Sequence, residues 1–284
     1  MKPDKKTYIH LLLFVVTLAS TWYVGLGEGW IGALWYCGGL MTILLCHEMG
    51  HFLAAKHHYV PTTLPYFLPM PLPPFGTLGA IIKMQGAMPN RKALFDVGVA
   101  GPFAGYAMIL PAVVVGLKLS PVVNVGAMNR DSMTTLGDSL LFKIVSFLVH
   151  GPLKDGQDVV LHPLAYAAWV GLLVTSINLL PIGQLDGGHI MYALFGKKSR
   201  WPAWGFYLFF LYICLFHYFG WLLLIVLLAI FRKHPPTLND YPPLDAKRKW
   251  LGALALILFL LSFTPVPFNI GSGIIPMILD WIRG

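Results

Sequence analysis

Charge is scarce in this chain. Of its 284 residues only 11% are Asp, Glu, Lys or Arg, less than half the roughly 25% of an ordinary soluble domain. Hydrophobic residues make up 57%, so the shortage argues against a water-soluble globular class and for a polytopic membrane protein. Acids are the scarcer sign, 12 against 20 Lys and Arg. The resulting net charge of +8 sits in short clusters between apolar runs. That arrangement reads as a topology signal and speaks against a nucleic-acid footprint. Cysteine is almost missing: Cys37, Cys46 and Cys214 all lie in apolar runs, which implies no disulfide framework. No internal repeat is evident.

What the chain does have is apolar runs of membrane-spanning length, oriented by the bias of Lys and Arg toward the cytoplasm. A first span is expected over about residues 7–26, with Lys2, Lys5 and Lys6 inside. The same stretch resembles a signal peptide ending near Ala19-Ser20, but its apolar character continues through Trp22-Tyr23-Val24. Span two covers about 30–55 and returns inside at Lys56. Span three runs from Arg91-Lys92 to near Lys118. The stretch from Ser120 to His162 is placed outside, broken by an amphipathic piece over Leu140–Val149. Span four covers about 163–180 and ends inside, before Lys197-Lys198-Arg200. Basic residues at both ends of 201–231 (Arg232-Lys233 at the second) favour a short helical hairpin turning near His217–Gly220. A last span covers about 250–263, and the tail from Pro265 is placed along the surface. The fold class expected is therefore all-α polytopic membrane protein, with about six to seven transmembrane helices and a short re-entrant β-like loop.

One polar cluster stands inside this apolar background: His47-Glu48-Met49-Gly50-His51. On a helix, His47 and His51 fall one turn apart on one face and can hold a zinc ion, with Glu48 placed beside an open water position. Ionisable residues at membrane depth are costly and mark function by default. Cys46 adjoins His47 but points roughly 100° away around the helix. His51 and His47 lie roughly 7 Å and 13 Å along the helix axis from Lys56, within the bilayer on the cytoplasmic side.

Spans two and four run in the same direction, so their ends meet at one membrane face. The end of span four reads Asn178-Leu179-Leu180-Pro181-Ile182-Gly183-Gln184-Leu185-Asp186-Gly187-Gly188. A hydrolytic zinc site commonly has three protein ligands and one open position. Asp186, the only acid between Asp158 and Asp240, supplies the third, and Pro181, Gly187 and Gly188 permit the helix to break and turn it inward.

His47 to His51, Asn178-x-x-Pro181 and Leu185-Asp186-Gly187-Gly188 together resemble the site-2 protease family of intramembrane zinc metalloproteases. Phe75 to Ala80 and Gly98 to Pro102 extend the likeness. The resemblance implies peptide-bond hydrolysis within the membrane, with Zn2+ on His47, His51 and Asp186 and catalysis by Glu48. It also implies a role for Asn178 with the substrate or oxyanion. The chain resembles a member without PDZ or CBS domains: one integral-membrane protease domain over 1–284, with a catalytic core at about 30–196, a re-entrant segment at about 61–88 and C-terminal helices at about 201–284. The expected partner is a single-span membrane protein already trimmed by another protease, within a lipid bilayer and without nucleic acid. The expected location is a bacterial inner membrane, with N-terminus and active site toward the cytoplasm.

Six prolines from Pro61 to Pro74 forbid a helix there, and Phe75 to Met84 is strand-like. Entering and leaving on the same face, this segment is expected to form a hairpin beside the zinc whose free edge pairs with an unwound substrate. Gly98, Gly101 and Gly105 read as close helix packing. His57 and His58 read as interfacial, His162 opens span four on the far side, and His189 follows the break. Two other functions compete, a zinc or proton transporter and an inactive helix-binding scaffold. The transporter needs a relay of acids, for which only Asp96 is at hand.

Overall fold

The computed structural model describes residues 5–124, 135–231, 234–241, 243–269 and 273–283. Lys2 and Arg232-Lys233, used above to orient the chain, lie outside the described residues, as does 125–134 of the outside stretch. The chain is mostly helical. Helix α1 (Lys5–Gly25) turns through Leu26–Glu28 into α2 (Gly29–His57). Gly25 permits the turn, since a Cβ there would come within 2.8 Å of the Ala33 Cα. Helix α3 (Arg91–Lys118) is capped at its start by the Asn90 side chain. Amphipathic α4 (Leu140–His150) and then α5 (Pro163–Asn178) follow, the latter capped by the His162 ring. After an irregular bend comes α6 (Asp186–Phe195).

Two stretches among the described residues are long and apolar enough to cross a membrane, Thr7–His57 and Arg91–Lys118. Shorter apolar helices accompany them. Residues 201–231 form a hairpin as expected, α7 (Arg200–Phe216) and α8 (Leu222–Phe231), broken at His217-Tyr218. Helices α9 (Ala246–Ser262) and α10 (Ile274–Arg283) complete the order.

The proline-rich segment forms an antiparallel pair, β1 (Tyr66–Pro69) with β2 (Thr77–Ile81), in register Tyr66 opposite Ile81 and Phe67 opposite Ala80. Its contacts trace a path up α1. His10 bonds the Pro65 carbonyl and stacks on Tyr66, Phe14 meets Phe67, and the Ser20 hydroxyl donates to the Gly76 carbonyl at 2.6 Å. Ten helical residues rise about 15 Å, so the hairpin climbs deep into the helix bundle. Its tip is held by Tyr36 and Tyr166, whose hydroxyls donate to the Phe75 and Pro74 carbonyls. A second small pair, β3 (Val122–Asn124) with β4 (Gln157–Val159), lies beyond α3.

At the opposite end residues 234–241, between α8 and α9, form a strap that crosses over the bundle. Leu238 and Asn239 donate backbone bonds to Met88 and Pro89, and Asn239 bridges Asn90 in parallel. Asp96 on α3 accepts two bonds from Arg248 on α9, at 2.8 and 2.6 Å, and one from His58 after α2 at 2.8 Å. Arg248 also pairs with Asp245. Three elements are thereby locked at one end of the core.

Candidate metal centre

Four elements meet at the site. Helix α2 carries His47, Glu48 and His51, all buried. Helix α6 begins at Asp186, whose carboxylate benefits from the helix N-terminus. Between α5 and α6 the chain bends through residues 179–185, with Gly183 at φ 61°. The bend folds so tightly onto α6 that a Cβ at Gly187 would lie 2.0 Å from the Leu179 carbonyl oxygen, and one at Gly188 2.3 Å from that of Gly183. Only glycine fits at either position, and the closeness turns Asp186 back toward α2.

Asp186 Oδ2 lies 3.2 Å from His47 Nε2 and 3.2 Å from His51 Nε2. One donor atom from each of the three residues falls within a mutual 4.8 Å. Ligands about 2.0–2.1 Å from a tetrahedral zinc stand about 3.3 Å apart, so two imidazoles and a carboxylate at these separations fit that ion. His51 Nδ1 donates to the Val97 carbonyl at 2.7 Å, which leaves Nε2 of the neutral ring bare and turned to Asp186. Helix α3 makes this approach by its small residues. A Cβ on Gly101 would sit 2.0 Å from His51 Nε2, and one on Gly105 3.1 Å from His47 Nδ1.

The buried Glu48 carboxylate accepts a bond from the backbone of Ile82, just past β2, with His51 and Asp186 as its neighbours. The hairpin therefore touches the centre directly. Asn178, at the end of α5, brings Nδ2 to 3.5 Å from His47 Nε2. That is neighbour distance rather than a firm hydrogen bond.

Cys46 is outside the metal-binding group, and His162 is at the far end of α5 from Asn178. His58, read as interfacial, bonds Asp96. His189, one turn after Asp186, meets His234 at 2.6 Å, and His234 stacks on Tyr192. Burial, its largest influence, holds the His234 imidazole below its ordinary 6.5. Tyr192 and Thr237 donate to Asp240, and Arg91 donates to the Ala193 and Leu194 carbonyls at 2.7 Å each. Sequence reasoning missed Val97 and Ile82 because both act through backbone atoms. It missed His234 because nothing local joins it to His189, 45 residues away.

A buried helix pair of imidazoles joined by a carboxylate from the start of a second helix defines the class of site, a candidate metal centre of two histidines and one carboxylate. The family model of peptidase family M50 matches residues 35–215. The chain belongs to peptidase family M50, the site-2 protease family. It is similar to "Probable zinc metalloprotease EGY1, chloroplastic" of Arabidopsis thaliana, 36% identical over 80% of this chain and 42% of that protein. It is also similar to "Probable zinc metalloprotease EGY2, chloroplastic" of the same plant, 33% identical over 81% of this chain and 42% of that protein. For the EGY1 protein of Oryza sativa subsp. japonica the identity is 39%, over 57% of this chain and 28% of that one. The chain thus spans about two fifths, 42%, of the length of either Arabidopsis relative. No solved structure matches it.

Proposed function

We propose that this chain is a zinc-dependent intramembrane endopeptidase, hydrolysing a peptide bond in or near the transmembrane segment of a membrane-protein substrate. The convergence of His47, His51 and Asp186 from two distant segments, with Glu48 buried beside them, carries the reading. Held by these three ligands, zinc supplies Lewis acidity that acidifies water and polarises a carbonyl. Glu48 takes a proton from the attacking water and returns it to the leaving amine. Asn178, beside His47, donates its amide to the oxyanion or the substrate backbone. A helical peptide bond is shielded by its own hydrogen bonds, so the substrate must become extended first. Strand β2 pairs only with β1 among the described strands, and an added strand on its other edge runs toward Glu48 through Ile82.

The fold is read as about six to seven transmembrane helices with the hairpin re-entrant, one integral-membrane protease domain over 1–284. The substrate is a single-span protein pre-trimmed by another protease. Lys56 in the last turn of α2 and Arg91 and Lys92 at the start of α3 mark the ends of those helices nearer the metal centre and support an orientation with those ends toward the cytoplasm. The membrane is proposed as a bacterial inner membrane, whereas the similar plant proteins bear chloroplast names. The transporter alternative loses its relay acid, because Asp96 is engaged by Arg248 and His58.

Purified protein reconstituted with candidate single-span substrates tests the proposal. Glu48→Gln abolishes cleavage by roughly 10²–10⁴-fold while retaining zinc and fold. Cleavage indifferent to that change would overturn it.

A further inference from the structure

A cavity of about 450 Å³ lies behind the helix bend, walled by Pro181 to Gly183 on one side and by the first turns of α7 on the other. Lys197 and Arg200 stand at its mouth, and among the described residues that line it there is no carboxylate. Neither cation has an acidic partner within salt-bridge distance among the described residues; Arg200 lies over the Trp201 ring. A 3-10 turn over Gly196–Ser199 runs directly into α7 and carries Lys197 to the cavity beside Arg200. Behind the mouth the lining turns apolar and aromatic, with Met191, Trp204 and Tyr207. From there an exposed ridge continues along α7 at every fourth residue: Trp204, Leu208, Tyr212, Phe216.

We propose that this cavity is a binding site for one anionic phospholipid, a reading that rests on the membrane embedding given under Proposed function. The phosphate sits between Lys197 and Arg200. An acyl chain follows the Trp204–Phe216 ridge. A free phosphate would use the cations and leave the ridge unexplained, whereas a zwitterionic lipid would bring a quaternary ammonium of its own beside Lys197 and Arg200, and the like charges oppose its binding. Basic pockets between helices at the cytoplasmic interface have the chemistry that selects anionic headgroups. Because the inner wall is the bend that delivers Asp186, an occupied cavity braces the metal centre from behind.

Native mass spectrometry of the full chain, titrated with dioleoyl phosphatidylglycerol or dioleoyl phosphatidylcholine, tests the site. One phosphatidylglycerol binds in preference. Lys197→Gln with Arg200→Gln weakens it by about thirty-fold, roughly fivefold for each cation. Dihexanoyl phosphatidylglycerol, the same headgroup on short chains, binds more weakly, and inorganic phosphate does not displace the long-chain lipid. Equal binding of the two dioleoyl lipids, an unchanged double variant, or displacement by phosphate overturns the proposal. If the double variant does not fold, the wild-type comparison of lipids decides alone. Glu48→Gln binds the lipid like wild type, so a failure of the protease reading and a failure of the lipid site are read separately.

Discussion

Replacing Gly101 with alanine tests whether α3 is only a packing partner or sets the metal geometry. The added Cβ would lie 2.0 Å from His51 Nε2 and 2.3 and 2.4 Å from its Cδ2 and Cε1, hence on the ring itself. Ordinary carbon contacts are about 3.5–4.0 Å, so ring and helix must part by roughly 1.5 Å. His51 has little room to yield, because its other nitrogen is bonded to Val97 on α3 at 2.7 Å. Zinc sites tolerate ligand shifts of about 0.2 Å. The displacement is several times that, and even outer-sphere losses cost about 10–100-fold in metal affinity. We expect Gly101→Ala to lose zinc by at least about 100-fold, with a fold penalty of only about 1–3 kcal/mol for overpacking.

Zinc content after equilibration in graded chelator buffers, with thermal unfolding measured in parallel, reads the two effects apart. Gly105→Ala is the internal comparison. Its Cβ meets His47 Nδ1 at 3.1 Å, which a shift of tenths of an ångström relieves, so retention falls by less than about tenfold. Gly38→Ala, with open space around its Cβ, changes nothing. Wild-type zinc retention in Gly101→Ala, or a larger loss in Gly105→Ala, would refute the reasoning.

Asp186→Asn leaves the bend in place but removes the anionic ligand, and bound zinc in the purified variant drops to background. Chelation of wild type abolishes cleavage and lowers the unfolding temperature, and added zinc restores both. Arg91→Met removes two bonds to the last carbonyls of α6; at about 2 kcal/mol for the pair, hydrogen exchange over 190–195 speeds up roughly thirty-fold. His234 faces His189, Tyr192 and Asp240, with Arg91 beyond. Its folded value lies below 6.5, so the unfolded strap binds more protons there and stability falls as pH drops below about 6.5. Hydrogen exchange over 234–241 rises in that window, and a flat profile would show that His234 does not hold the strap.

Helix positions were legible where long apolar runs or a clear amphipathic stripe exist. Leu140–His150 and the break at His217-Tyr218 stand where the residues indicate. The hairpin could be read because prolines exclude helix there and the flanking cations are alike. Side chains were a poorer guide wherever they serve two purposes. Arg91 reads as a topology signal, yet it caps α6. Asp96 reads as a membrane acid of possible transport use, yet it is the hub of a three-element lock. Gly101 reads as packing, and it is packing, but against a ring that turns to the metal. Contacts made by backbone, such as Val97 to His51 and Ile82 to Glu48, leave no mark in residue type.

Two departures from regular structure fall at the metal centre. Residues 179–185 abandon the helical ladder deep in the core, and the hairpin leaves one edge of β2 without a strand partner among the described residues. Each gives up the regular ladder of a continuous helix or a wider sheet, and any backbone group left unpaired in apolar surroundings costs roughly 1–3 kcal/mol. A scaffold that only bound helices would gain nothing from either, since uninterrupted helices would pack as well. The bend returns a carboxylate to two imidazoles, and the open edge ends at the one glutamate beside them. Local rules are broken where a site requires it, so Gly187→Ala or Gly188→Ala, which the bend cannot accommodate, is expected to cost as much bound metal as Asp186→Asn, a loss that metal content of the purified variants reads directly.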